Sequence, residues 1–215
     1  MKIACKVASL SLALLMLGGC ATSRSELDIA APTSTQTIQT NGKSVYINSV
    51  TDKRIFEVAP SSPNIPSLDP GADQSDKVKV RAIGRKRNGF GQALGDILLK
   101  EGQTIESLTN TSIRQAFLEK GYKVIDRNDM TTKDTYVVDA NIDKFWSWMN
   151  PGFASITLST EISTELTIKS PEGTNRQTVS VKAADGFQTG MEENWVAVIK
   201  TALRGYVDDL KSKLK

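Results

Sequence analysis

Chemistry in this chain would have to be built from few residue types. No His occurs among the 215 residues, which removes the commonest general base and the commonest metal ligand. Both Cys, Cys5 and Cys20, lie in the first 20 residues, so the body offers no thiol nucleophile, no zinc cluster and no internal disulfide. Carboxylate pairs remain. Asp139 with Asp143, and Glu161 with Glu165, sit four apart in strand-patterned stretches, which separates them by about 13 Å, too far to work together on one bond. They read as a solvated sheet face. No Ser-x-x-Lys stands in a glycine-framed or nucleophile-elbow setting. Gly89-Phe90-Gly91 with Gly95 misses the dinucleotide fingerprint, no Lys-Ser/Thr follows it, and it reads as a flexible connector. Neither catalysis nor a metal is expected of these residues.

Two clusters suggest binding instead. Phe145-Trp146-Ser147-Trp148-Met149-Asn150-Pro151-Gly152-Phe153 holds two of three Trp and two of six Phe in nine residues. Strand alternation sets Trp146 and Trp148 with the apolar positions before them and turns Phe145 and Met149 to the side of Asp139, Asn141 and Asp143. Part of the cluster is therefore expected in solvent, where Phe145, Trp146, Trp148, Met149 and Phe153 form a candidate protein contact. The alternative is a tip folded beneath the neighbouring insertion. The densest basic run is Lys77, Lys79, Arg81, Arg85, Lys86 and Arg87. It is a candidate contact for an anionic surface such as lipid phosphate, lipopolysaccharide or acidic peptidoglycan, the alternative being a solvated edge strand.

The amino terminus reads as an address. Lys2 and Lys6 precede an apolar run over residues 7–17, too short to span a bilayer with ease, and Gly18 and Gly19 follow. Leu17-Gly18-Gly19-Cys20-Ala21 resembles the bacterial lipobox. The resemblance implies removal of residues 1–19, a diacylglycerol on the Cys20 sulfur and an acyl chain on its new amino group. Ala21 in place of Asp implies the outer membrane, on its periplasmic face. Two or three acyl chains anchor durably where one does not. Two of the 27 Lys+Arg and none of the 24 Asp+Glu lie in the removed piece, so the formal charge falls from +3 to +1. No partnership with nucleic acid is expected from that balance.

At 39% hydrophobic and 24% charged residues the chain has a globular composition, and its length suits one domain with a tail. Residues 20–43, rich in Ser, Thr, Gln and Ala, read as the lipidated Cys and a flexible tether with a reach of about 25 Å. A single α+β domain follows over 44–215, with a Pro-rich and basic insertion at about 59–103. Residues 44–50 alternate as a first strand, and 77–83 as a second with a basic outer face; 92–100 reads as a short amphipathic stretch whose Gly95 weakens any helix. Residues 104–120 place Ile105, Leu108, Ile113, Ala116 and Phe117 on one helical face, and Gly121 stands at the cap position. A strand over 122–125 precedes a meander over 135–148, 153–169 and 176–187. Thr189-Gly190-Met191-Glu192 has capping-box spacing. Trp195, Val198, Ile199, Ala202, Tyr206 and Leu210 then form a stripe on a last helix. Two amphipathic helices on one face of a mixed, mostly antiparallel sheet bury these stripes economically.

This plan resembles the YajG-type family of small Gram-negative outer-membrane lipoproteins. The resemblance rests on the strand at 45–52, on Ala116-Phe117-Leu118-Glu119-Lys120-Gly121-Tyr122-Lys123-Val124, on the meander over 137–187 and on the terminal helix. The helix-Gly-Tyr-strand step is also similar to that of lipoproteins with a TolB amino-terminal-like domain and of lipoprotein activators of peptidoglycan synthases. The insertion at 60–103 is longer than the family's pattern. The expectation is a non-catalytic accessory module of an envelope assembly, with a membrane and another envelope protein as partners and no cofactor beyond the lipid on Cys20. The alternatives are a carrier of a small apolar ligand, with the tip aromatics lining its cavity, and, less favoured, an envelope enzyme.

Overall fold

The computed structural model of the chain describes residues 24–34 and 39–214. One long strand organises the sheet. Strand β6 (Thr135–Pro151) pairs from Val137 to its end with β7 (Ile156–Ser170), and β7 with β8 (Gly173–Phe187), giving the antiparallel meander the alternation predicts. The other flank of β6 is shared end to end. Strand β2 (Ser44–Asp52) runs parallel to its first half, and β3 (Ala82–Arg87) meets it at Ser147 and Trp148. Beyond β2 lies β5 (Lys123–Ile125). Beyond β3 lie β4 (Ala93–Leu99), antiparallel, and then β1 (Ser25–Leu27), parallel to β4. The eight-stranded mixed sheet and its helices make an α+β fold.

Helices α2 (Ile105–Glu119) and α3 (Glu192–Lys213) cover one face of the sheet, and every residue of their two predicted stripes is buried in the main core. Reciprocal bonds open α2: Ser107 N–H donates to Thr104 Oγ1, and Thr104 N–H to Ser107 Oγ, at 3.1 Å each. It ends at Gly121, where φ is +90° and a Cβ would stand 2.5 Å from the Gln39 carbonyl, so only glycine fits. No capping box forms ahead of α3. Met191 is its N-cap, without a side-chain acceptor, while Asn194 Nδ2 donates to the Thr189 carbonyl. Glu192 and Glu193 in its first turn and Lys211 and Lys213 in its last suit the helix dipole.

The helices are joined by one well-made ion pair. Arg204 donates from both terminal nitrogens to Glu119 at 2.7 Å, and Lys211 adds a third bond at 3.0 Å. Arg204 foremost holds the Glu119 carboxyl down at about 2 from its usual 4.5. The folded pKa lies below the unfolded one, so the stabilisation is present above about pH 4.5 and lost as the pH falls toward 2. Screening of the partly exposed cations reduces it to on the order of 1–2 kcal/mol. Glu119→Gln should therefore lower the urea midpoint at pH 7 and flatten the acid limb of the stability curve; an unchanged acid limb would contradict this assignment.

Three expectations are corrected. The segment read as a flexible tether enters the sheet: β1 pairs with β4, and Leu27 and Ile29 are buried in the main core. The segment 77–83 is not one strand. Asp76–Lys79 forms a single helical turn, α1, and β3 starts only at Ala82. Val78 and Ala82 still reach one core, because a spacing of four serves a helix and a strand alike. Residues 93–99 form strand β4, and its run Ile97-Leu98-Leu99 is buried between β3 and β1, as a fully covered strand requires.

The place where β2 gives way to β3 along β6 is closed by a side chain. β2 ends opposite Ile142 and β3 begins pairing at Ser147, which strands backbone carbonyls between them. Arg54 fills the gap. Its Nη1 donates to the carbonyls of Ala82 (2.6 Å) and Phe145 (2.9 Å), its Nη2 to that of Lys79 (2.7 Å), and Asp52 accepts from Nε and Nη2 at 3.0 Å. The Arg54 side chain is 0% exposed, and burial lowers its pKa. Next to this seam Gly84 lets β3 approach β6, since a Cβ there would stand 2.8 Å from the Ser147 carbonyl.

Candidate functional site

The aromatic hairpin is interior. Phe145 and Trp146 are 0% exposed, and Trp148 and Met149 are buried as well, so four of the five proposed contact residues cannot meet a partner. Their faces are also the reverse of those expected. A register shift between Ile142 and Lys144 inserts one residue into β6, and one extra residue exchanges the two faces of everything after it. Phe145 and Met149 therefore continue the face of Val138, Ala140 and Ile142 into the main core, while Trp146 and Trp148 pass to the other face. There they meet Phe56, Leu68, Val78, Ala82 and Leu98 in a second, smaller core beneath the Pro-rich loop. Trp146 Nε1 donates to the Pro63 carbonyl at 3.1 Å, which ties the loop down. Only Phe153, at the turn, is fully exposed.

The basic run is likewise divided. Arg85 and Arg87 are buried on the same loop-covered face, at 5% and 7% exposure, and are corrected as anionic-surface contacts. Arg87 donates to the Pro60 carbonyl (2.7 Å) and to Ser67 Oγ (3.0 Å). Arg85 reaches Ser67 Oγ at 3.3 Å, and its Nε stands 4.0 Å from Asp96, a charge contact rather than a hydrogen bond. Asp96 is itself buried and accepts from Arg24 Nε and the Asp69 N–H; burial outweighs these donors and raises its pKa. Arg81 pairs with Glu26 and donates to the Leu99 carbonyl, and Lys86 donates to Ser25 Oγ. Lys77 is exposed, and Lys79 is partly exposed and pairs with Asp76 at 3.5 Å. Arg81, Arg85, Lys86 and Arg87 hold the loop and β1 in place, and Lys77 and Lys79 stay at the surface.

The acidic residues do not converge on a catalytic centre. Asp139 accepts from Ser49 Oγ (2.7 Å) and Asn48 Nδ2 (2.6 Å), which lowers its pKa, and Lys169 lies 3.6 Å away. Burial and the neighbouring Glu165 charge raise Asp143. Glu161 pairs with Lys144 at 2.8 Å. Among the described residues no group of three His, Cys, Asp or Glu could hold a metal ion. Cys20, the expected lipidation residue, lies outside the described residues, as does the apolar run over residues 7–17.

Two surface features remain. The first is a recess of about 200 Å3 at the end of the sheet where β6 starts and β7 ends, lined by Tyr122, Tyr136, Glu172, Asn175, Gln177 and Lys213 among others. Lys43 Nζ stands over the Tyr122 and Tyr136 rings, at 5.8 and 5.3 Å from their centroids. Tyr136 donates to Glu172 at 3.2 Å, and Ser170 and Tyr136 together lower the Glu172 pKa. The second is at the opposite end. Phe90, in the β3–β4 turn, is 94% exposed, and Phe153, in the β6–β7 turn, is 110% exposed. Reading Gly89-Phe90-Gly91 as a flexible connector says nothing of where the Phe90 ring lies; an aromatic framed by glycines in a tight hairpin turn has little neighbouring surface to cover it.

No protein-family model and no curated protein matches the chain. In structure it is similar to a hypothetical protein from Chlamydia trachomatis, with a TM-score of 0.42, 7% identity, and coverage of 79% of this chain and 96% of that one. It is also similar to lipoprotein GNA1162 from Neisseria meningitidis (0.32, 10%, 78% and 99%) and to a minor lipoprotein from Acinetobacter baumannii (0.30, 16%, 48% and 83%). Likeness of this degree carries no argument about descent or role. Among the described residues no helix is long and apolar enough to cross a membrane.

Proposed function

We propose that this chain is a lipid-anchored protein of the Gram-negative outer membrane, facing the periplasm, whose α+β domain serves an envelope assembly as a non-catalytic interaction module. One observation carries the reading: the lysine-flanked apolar run ends in Leu17-Gly18-Gly19-Cys20, and the folded domain begins only five residues later, at Ser25. The YajG-type resemblance supports the same place. The buried hairpin moves the expected protein contact elsewhere, and the Tyr122, Tyr136 and Glu172 recess is the better candidate. At about 200 Å3 it is smaller than the roughly 300–1,000 Å3 that encloses a small-molecule ligand, and it suits a side chain of a partner. The carrier alternative placed the tip aromatics around a cavity, whereas Phe145, Trp146 and Trp148 pack into the two cores.

The expected result of Cys20→Ser is loss of incorporated labelled palmitate and retention of residues 1–19. Palmitate incorporation equal to the parent's would contradict the anchor. A photo-crosslinker at Asn175, beside the recess, is expected to form a discrete protein adduct in intact cells.

A further inference from the structure

Arg24, the first described residue, and the exposed aromatics lie toward one end of the molecule. Strand β1 runs parallel to β4, with Ser25 opposite Ile97, so its amino-terminal side points back toward the β3–β4 turn that carries Phe90. Arg24 bonds Asp96, Asp96 pairs with Arg85, and Arg85 is level with Trp148, three residues short of the end of β6 at Pro151. That is about 10 Å along the strand. Four peptide links separate Arg24 from Cys20, a contour of at most about 14 Å. The opposite end of β6, near Tyr136, is about 40 Å from the level of Arg24. Cys20 can reach the turn end and cannot reach the recess end.

Large apolar side chains are exposed at the turn end. Phe90 and the end of β6 at Asn150 and Pro151 border one shallow depression, so the two turns are neighbours. Met191, 58% exposed, belongs to the same end: a Cβ on the preceding Gly190 would touch Met149 and Ile156. Arg85 and Arg87 face inward and Lys86 is engaged with Ser25, so nothing in this arrangement depends on cationic attraction to lipid phosphate.

We propose that this end of the sheet rests in the bilayer surface, with Phe90 and Phe153 inserted among the lipids as two further contacts beside the Cys20 acyl chains. The proposal rests on the lipoprotein reading. It fixes the orientation of the domain, placing the Tyr122 and Tyr136 recess at the far end, toward the periplasm. The contact is apolar and insensitive to salt.

The test uses the mature lipidated protein, in which the Cys20 sulfur is blocked. Phe90→Cys, Phe153→Cys and, at the far end, Asn175→Cys each take one environment-sensitive nitrobenzoxadiazole label. The labelled proteins are held by their own anchor in vesicles of phosphatidylethanolamine and phosphatidylglycerol. Labels at 90 and 153 should shift to the blue and be quenched by bilayer-brominated lipid, while the label at 175 does neither. In the unlipidated Cys20→Ser chain without residues 1–19, residual vesicle binding should fall about ten-fold or more when Phe90→Ser and Phe153→Ser are combined. Labels at 90 and 153 that stay as polar as the one at 175 overturn the proposal. So do labels that shift only when envelope proteins are added, which would assign the end to a protein partner. A second label on Cys20, seen by mass, instead contradicts the anchor itself.

Discussion

Arg54→Leu is expected to destabilise the domain by about 3–5 kcal/mol, read as a fall in the urea midpoint with the slope unchanged. A buried guanidinium is costly to desolvate, and Arg54 remains inside because each of its nitrogens has an acceptor. Leucine, shorter and without a donor, would leave the carbonyls of Lys79, Ala82 and Phe145 buried without this partner, and Asp52 without its own. Arg54→Lys should restore only part of the loss, because one ammonium cannot serve carbonyls on three separate stretches of chain. A cost below 1 kcal/mol for Arg54→Leu would mean that the seam between β2 and β3 is not held this way.

Trp146→Ala is expected to cost about 3–5 kcal/mol and to expose the Pro-rich loop to proteolysis. The indole is fully buried, meets Phe56 edge to face at 6.0 Å and holds the Pro63 carbonyl, so its removal empties the centre of the second core and releases the loop together. Phe153→Ala, in the turn two residues beyond the end of the strand, should stay within about 0.5 kcal/mol of the parent. Chemical denaturation and limited proteolysis of both variants decide between an interior and an exposed hairpin. Comparable stability for the two would contradict the packing described.

What the sequence disclosed followed periodicity. The stripes of α2 and α3 and the three arms of the meander were readable because each repeats its apolar positions over many residues. What it concealed came from single-residue events and from distant partners. The bulge at Asp143 is marked by no glycine or proline, yet it exchanges Phe145 and Trp146 between the faces. Arg85 and Arg87 looked like surface cations because nothing near them in sequence shows that Pro60 and Ser67 will accept from them. The polar composition of the segment after Cys20 concealed β1, which is only three residues long and owes its place to the exposed edge of β4. The address at Cys20 was the plainest feature of the sequence, and it lies outside the described residues.

The amino-terminal tryptic peptide of the mature protein, isolated from the cell envelope, gives the most direct measurement. The predicted peptide starts at Cys20, ends at Arg24, and carries the mass of a diacylglyceryl group and an amide-linked acyl chain. A chain that keeps Met1, or a peptide whose Cys20 bears a free thiol, would contradict the lipid-anchored assignment.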